Sequence, residues 1–144
     1  MSEAVSGLVI RLEAPGDAPA IRSVIVQAFG QAAEADLVQQ LRLQGAVALS
    51  LVAVMEGQIA GHILYSPVTV ESNPRNRRVI SLAPLAVHPN WQRRGVGTAL
   101  IQTSFEALKT SNVDGAVVLG SPDYYRRFGF QPAANFGLQC EYPV

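Results

Sequence analysis

Two arginines and two glycines lie between a tryptophan and an apolar run in NWQRRGVGTAL, residues 90–100. The segment is positioned to open a helix, where each glycine costs about 1 kcal/mol relative to alanine. A requirement other than helix stability therefore sets Gly95 and Gly97. The chemistry such a segment offers is anion binding. The start of a helix leaves main-chain N–H groups without partners and carries the positive end of the helix dipole. A phosphate approaches those donors closely only where no side chain stands in the way. Arg93 and Arg94 would add mobile positive charge. The plainer reading is a glycine-rich turn beside solvated arginines, and the flanking elements must decide between the two. Neither common nucleotide motif applies. No Gly-Lys-Ser or Gly-Lys-Thr follows as a P-loop requires, and Leu100 stands where a dinucleotide fingerprint needs its third glycine.

The elements around the segment follow from periodicity. Residues 8–12 (LVIRL) read as a short strand, then Pro15 and Gly16 break it and Asp17 offers an N-cap. Ile21, Val24, Ile25 and Ala28 form a helical apolar stripe that Gly30 closes. Leu37, Val38 and Leu41 repeat the spacing more weakly before Gly45. Residues 48–54 and 58–70 then form a hairpin around Glu56-Gly57, with Pro67 marking a bulge or an edge position. A strand over 78–87 carries Pro84, which cannot donate to a ladder and implies a break or bulge. Residues 92–110 read as a helix on Val96, Leu100, Ile101, Phe105 and Leu108. Residues 115–120 form a strand, DYYRRF a short helix, and GLQCEY a last strand. Strand, helix, strand makes a βαβ unit, so its two strands are expected to be parallel within an α/β sheet of mixed direction.

In this context QxxGxG, Gln92 to Gly97, is similar to the acyl-CoA signature of the GNAT superfamily of acetyl-CoA-dependent N-acetyltransferases. YYRRFGF, residues 124–130, resembles that superfamily's second signature. PLAVHP, QRRGVG and LGSPDYYRRFGFQPA together most resemble the bacterial YhbS-like group. The resemblance implies a GNAT-like α/β fold: a mixed, mostly antiparallel central sheet with a splayed parallel strand pair, flanked by helices. It also implies one domain over residues 1–144 that lacks the group's last strand. The cosubstrate would be acetyl-CoA and the acceptor a primary amine of a small molecule or peptide. CoA would lie along Leu85, Ala86 and Val87, with its diphosphate at Gln92, Arg93, Arg94, Gly95, Val96, Gly97 and Thr98. Splaying at Pro84 would open the slot for the thioester. Tyr125, four residues before the glycine of the GF pair, would protonate the leaving thiolate, with Tyr124 as the substitute. The rival class is a non-catalytic acyl-CoA sensor or interaction module, which would share every phosphate contact.

No general base stands out. Glu34 and Asp36 read as solvated carboxylates, and His62, alternating with apolar neighbours, as a satisfied structural histidine. His88 begins the loop to the signature helix, where Trp91 is expected to cover the helix end. Phe29, Phe105, Phe128 and Phe130 read as core or lid residues.

Composition removes other classes. Of 144 residues, eleven are basic and eleven acidic, which leaves no global field to gather nucleic acid or an anionic membrane surface. Arg75, Arg77, Arg78, Arg126 and Arg127 come without an aromatic stacking platform. Cys140 is the sole cysteine and His62 and His88 the only histidines, a poor stock for disulfide or metal. No apolar run approaches the ~20 residues that span a bilayer, and the acidic amino terminus is unlike a signal peptide. A cytoplasmic, metal-free protein is expected, and a short sheet edge at its carboxy terminus suits a homodimer.

Overall fold

Five runs rich in β-branched and aliphatic residues pair into one sheet in chain order: β1 (Val9–Leu12), β2 (Leu49–Met55), β3 (Gln58–Val68), β4 (Val79–Val87) and β5 (Gly115–Val118). Residues 6–68, 79–111, 113 and 115–118 of the computed structural model are described. The first three pairings are antiparallel and β4–β5 is parallel, as a crossover through α3 (Val96–Lys109) requires. The mixed, mostly antiparallel sheet expected from the sequence is therefore present. The expected strand and helix beyond residue 118 lie outside the described residues.

Period-two alternation gives the sheet two apolar faces. Leu51, Ala53, Ile63, Tyr65, Ile80 and Leu82 pack against Val96, Leu100 and Ile101 of α3. Val52, Leu64 and Ala86 turn the other way, onto α1 (Ala18–Phe29) and α2 (Ala33–Leu43), whose stripe of Ile21, Val24, Ile25, Val38 and Leu41 is buried there. On the α3 face the Tyr65 hydroxyl meets Ser104 Oγ at 2.8 Å, and Ser104 donates onward to the Ile101 carbonyl. That chain accounts for a fully buried serine inside a helix.

Local expectations meet mixed outcomes. Glu56 and Gly57 have φ of 52° and 74°, the two-residue turn that matches strand twist. Gly30 ends α1, its N–H bonded to the Val26 carbonyl at 2.8 Å. Asp17 precedes α1 but makes no side-chain cap, because its carboxylate accepts from Arg11 and from the Ala14 N–H instead. Phe29, expected in the core or a lid, is 43% exposed. Pro67 sits on a central strand, opposite Ile80, yet the pairing of β2 with β3 ends at Leu49–Tyr65, so no neighbouring strand asks for its missing N–H.

The irregularity expected at Pro84 is a bulge. Ile63 faces Leu85 and Tyr65 faces Leu82, so Leu64 alone stands opposite Ala83 and Pro84. On the other side of β4 the described pairing with β5 covers Val79 to Leu82.

Gly61 lets α3 lie close on β3 just beside the end of β4. A Cβ there would stand 3.1 Å from both Val96 Cγ1 and Leu100 Cδ1 and 3.2 Å from the Ala86 carbonyl oxygen. Gly61→Val is expected to lower stability by about 1–3 kcal/mol, the usual cost of overpacking. Urea denaturation measures it, and an unchanged midpoint would contradict this close approach.

Candidate active site

β4 runs into a short 3₁₀ turn and then into left-handed backbone. The 3₁₀ turn Pro89–Trp91 is tied by the Trp91 N–H to the His88 carbonyl (2.8 Å) and by the Asn90 N–H to His88 Nδ1 (3.1 Å). Arg93 then adopts φ 63° and Gly95 φ 85°. Two left-handed residues within three positions cannot continue a helix, so α3 starts at Val96 rather than at Gln92 as the apolar spacing suggested. Gly95 is the N-cap, a conformation that costs glycine little and an L side chain more. The first bond of the helix runs from the Ala99 N–H to the Gly95 carbonyl at 3.0 Å. The N–H groups of Arg93, Arg94, Gly95, Val96, Gly97 and Thr98 therefore have no acceptor among the described residues.

Side chains around these donors are arranged to leave them open. Val96 is buried in the core under the turn, whereas Arg93 and Arg94 are exposed and form no ion pair among the described residues. Arg94 stacks over the Trp91 ring, 5.3 Å from its centroid, which orders one cation beside the turn. Trp91 packs against the α3-side core, where it was expected to cover the helix end. Gln92 Nε2 donates to the Val87 carbonyl at 2.9 Å and so ties the turn to the last residue of β4. A lone exposed glutamine carries no signal in the sequence of this partner.

The antiparallel ladder also sorts Leu85, Ala86 and Val87. The His88 N–H reaches the Ala60 carbonyl on β3, and main-chain groups alternate sides along a strand. Ala86, in register with His62, thus directs its N–H and C=O toward β3, while Leu85 and Val87 direct theirs away from it. The Gln92 bond to the Val87 carbonyl follows the same alternation.

Tyr125 and Tyr124, like Phe128 and Phe130, lie outside the described residues. Glu34 accepts from Gln31 and Asp36 pairs with Arg22 at 2.9 Å, both at the surface as expected of solvated carboxylates. Phe105 is half-buried against the α3-side core, and His88 lines a groove with Arg11, Asp17 and Gln27. Among the described residues no group of three or more His, Cys, Asp and Glu side chains could hold a metal ion, and no helix is long and apolar enough to cross a membrane.

His62 departs from the satisfied histidine expected. It is fully buried on the α1/α2 face, with Nε2 2.9 Å from Ser50 Oγ and Nδ1 without a partner. Ser50 donates to Glu13 Oε1 at 2.7 Å, and Arg42 binds both Glu13 oxygens. Burial drives the His62 pKa down to about 4, the Glu13 charge opposing and the Arg42 charge adding to the effect. Burial also works against the Glu13 charge, but bonds from Arg42 and Ser50 outweigh it and hold that carboxyl below its ordinary value.

Structures of like architecture place the fold among the acetyltransferases. A GNAT family acetyltransferase from Brucella melitensis in complex with acetyl-CoA superposes with a TM-score of 0.79 at 39% identity, covering 88% of this chain and 84% of that one. The Escherichia coli N-acetyltransferase YhbS in complex with CoA superposes with a TM-score of 0.88 at 35% identity, over 99% of this chain and 79% of its own. In sequence, YhbS of strain K12 is 37% identical over 137 residues, 94% of this chain and 81% of the relative. YjhQ, a second N-acetyltransferase of that strain, is 42% identical over 131 residues, 89% of this chain and 72% of the relative. The acetyltransferase (GNAT) family model matches residues 19–130. The chain belongs to the GNAT acetyltransferase family, and it is an acyltransferase.

The buried ring makes stability depend on pH. Above 6.5, its ordinary value, His62 is neutral in folded and unfolded chains alike and its full contribution is present. Between 6.5 and about 4 the unfolded chain takes up a proton that the fold refuses, so stability falls as pH falls. At pH 5 the loss is about 2 kcal/mol relative to pH 7.5, at 1.36 kcal/mol per unit. Denaturation at the two pH values should show this difference in the natural chain and a smaller one in His62→Gln. An equal pH dependence in both would contradict the neutral buried ring.

Proposed function

We propose that the protein transfers an acetyl group from acetyl-CoA to a primary amine of a small molecule or peptide, by direct attack of the amine on the thioester. One observation carries this reading: a run of main-chain N–H groups, from Arg93 to Thr98, has no acceptor among the described residues and is fastened to the end of β4 by Gln92. A diphosphate suits those donors, and Arg93 and Arg94 supply charge at its rim. The pantetheine arm then extends along β4 as an added strand, on the main-chain groups of Leu85 and Val87 that point away from β3. Ala86 spends its main chain on β3 and supports the arm by packing. The CoA complexes of YhbS and of the Brucella enzyme favour the same cosubstrate.

The chemistry follows from the reacting groups. A lysine-like amine has a pKa near 10.4, so presenting it neutral at pH 7 costs about 4.6 kcal/mol unless a base or a desolvating pocket assists. Attack places negative charge on the thioester oxygen, and the Val87 or Leu85 N–H is oriented to receive it. The intermediate collapses with cleavage of the C–S bond. Tyr125 is the proposed proton source for the departing thiolate, whose pKa near 8.5 permits either fate at neutral pH. A single cysteine and zero net charge suit the cytoplasm.

Gly97→Val, half-buried in the first helical turn, is expected to raise the Kd for CoA roughly tenfold or more by holding the diphosphate off its donors. Calorimetric titration measures this, and unchanged affinity would remove the cradle. Tyr125→Phe should bind CoA normally yet release free thiol from acetyl-CoA and an amine panel roughly a hundredfold more slowly. Wild-type rates would exclude that hydroxyl. Tight CoA binding with no thiol release from the natural chain, across polyamines, amino acids and peptides, would instead mark a sensor.

A further inference from the structure

The acyl-transfer reading leaves the ammonium proton without a destination, since His88, the histidine that follows β4, spends its Nδ1 lone pair on the Asn90 N–H. The buried network under α1 supplies one. Ser50 has a single hydroxyl proton and gives it to Glu13 Oε1 (2.7 Å), so the 2.9 Å contact with His62 is an Nε2–H donating to Ser50 Oγ. This fixes the tautomer and leaves Nδ1 as a bare lone pair. Every hydrogen bond in the chain points the same way, from His62 through Ser50 to Glu13. Glu13 lies partly open to solvent beside Arg42. The inner end is unfinished: His62 is 0% exposed and Nδ1 has no partner. Buried polar atoms are seldom left this way unless a water or ligand group meets them. The second unpartnered buried atom is Ser81 Oγ, on the same face of the sheet, and the two stand on either side of the β4 bulge at Ala83 and Pro84. His62 is in register with Ala86, within the stretch of β4 assigned to the thioester.

We propose that His62, Ser50 and Glu13 form the exit path for the proton that the acceptor amine loses, a role that rests on the acyl-transfer reading above. The amine gives its proton to a water at the bulge, and that water gives one to His62 Nδ1. His62 passes its Nε2 proton to Ser50 Oγ, Ser50 passes its own to Glu13 Oε1, and the Glu13 carboxylic acid yields it to bulk water. One proton enters and one leaves, so no net charge stays in the core; once product has left and solvent fills the site, the reverse passage, from bulk water through Glu13 and Ser50, returns His62 to its Nε2–H tautomer. The charged groups around the ring are Glu13, which follows β1, and Arg42 of α2. Ile21, Val24 and Ile25 of α1 are buried on the same side of the sheet, and Ala86 of β4 stands in register with the ring. The Glu13–Arg42 pair keeps the outer carboxylate ionised and ready to receive.

Ser50 makes no contact assigned to CoA, which makes it the residue to change. With acetyl-CoA and the amine of the panel that turns over best, Ser50→Ala is expected to lower kcat at pH 7 by roughly a hundredfold, the lower end of the range for lost acid–base assistance. KM for acetyl-CoA and CoA affinity should stay near wild type, whatever the loss of the two hydrogen bonds costs in stability. The deficit should shrink as pH rises toward the pKa of the amine, because more of it then arrives neutral. Ser50→Thr, which keeps the hydroxyl, should restore the rate. A wild-type rate in Ser50→Ala, or a deficit constant from pH 6 to 10, overturns the relay while leaving acyl transfer intact. A natural chain that turns over no amine removes the acyl-transfer reading and the relay together.

Discussion

The organisation of this protein depends on a backbone constraint two residues long. Arg93 and Gly95 both take positive φ between β4 and α3, and that turn delays the helix until Val96. Had the helix begun at Gln92, the N–H groups of Val96, Gly97 and Thr98 would have been spent inside it. The turn leaves them without an acceptor among the described residues, with the helix dipole behind them. The core fixes this geometry from below. Val96 is locked among Gly61, Leu100 and the α3 face of the sheet, and Trp91 and Arg94 stack at its edge. The Gln92–Val87 bond carries the same order into β4. A single short segment thereby sets both the open amides and the end of β4, the two places proposed for the diphosphate and the pantetheine arm.

The two faces of the sheet do different work. The α3 face is apolar apart from the Tyr65–Ser104 pair, and it serves as a rigid seat for the turn. The α1/α2 face admits Ser50, His62, Ser66 and Ser81 among its aliphatic residues. An apolar residue at His62 would pack at least as well, because a buried ring with one unmet nitrogen costs stability. Gathering His62, Ser66 and Ser81 on this face, around a strand that bulges, is a cost that packing does not explain. It is consistent with a face that serves chemistry.

Much of this was legible in the sequence because the signals are local. The apolar stripe of α1, the Glu56-Gly57 turn and the disruption at Pro84 each follow from chemistry within a few residues, and all three appear in the fold. The crossover from β4 to β5 gave the parallel pair. What failed depended on partners distant in sequence or on backbone angles. Asp17 was read as a cap, but Arg11 and Ala14 claim its carboxylate. The first turn of α3 was read four residues early, since apolar spacing carries no record of positive φ at Arg93. His62 was read as satisfied, although its one partner, Ser50, stands on a neighbouring strand, and the Glu13–Arg42 pair that completes the network joins residues far apart in the chain. Register between strands, which fixes such contacts, is not written in either strand alone.

The central claim is that main-chain amides from Arg93 to Thr98 grip a diphosphate. Amide NMR spectra of the labelled protein, recorded with CoA and then with pantetheine, which has no phosphate, test it most directly. The account predicts that CoA moves the Gly95, Val96 and Gly97 amide protons downfield and slows their exchange, whereas pantetheine leaves them in place and perturbs Leu85 and Val87. Equal shifts at the turn with both ligands, or CoA shifts confined to other parts of the chain, would contradict it.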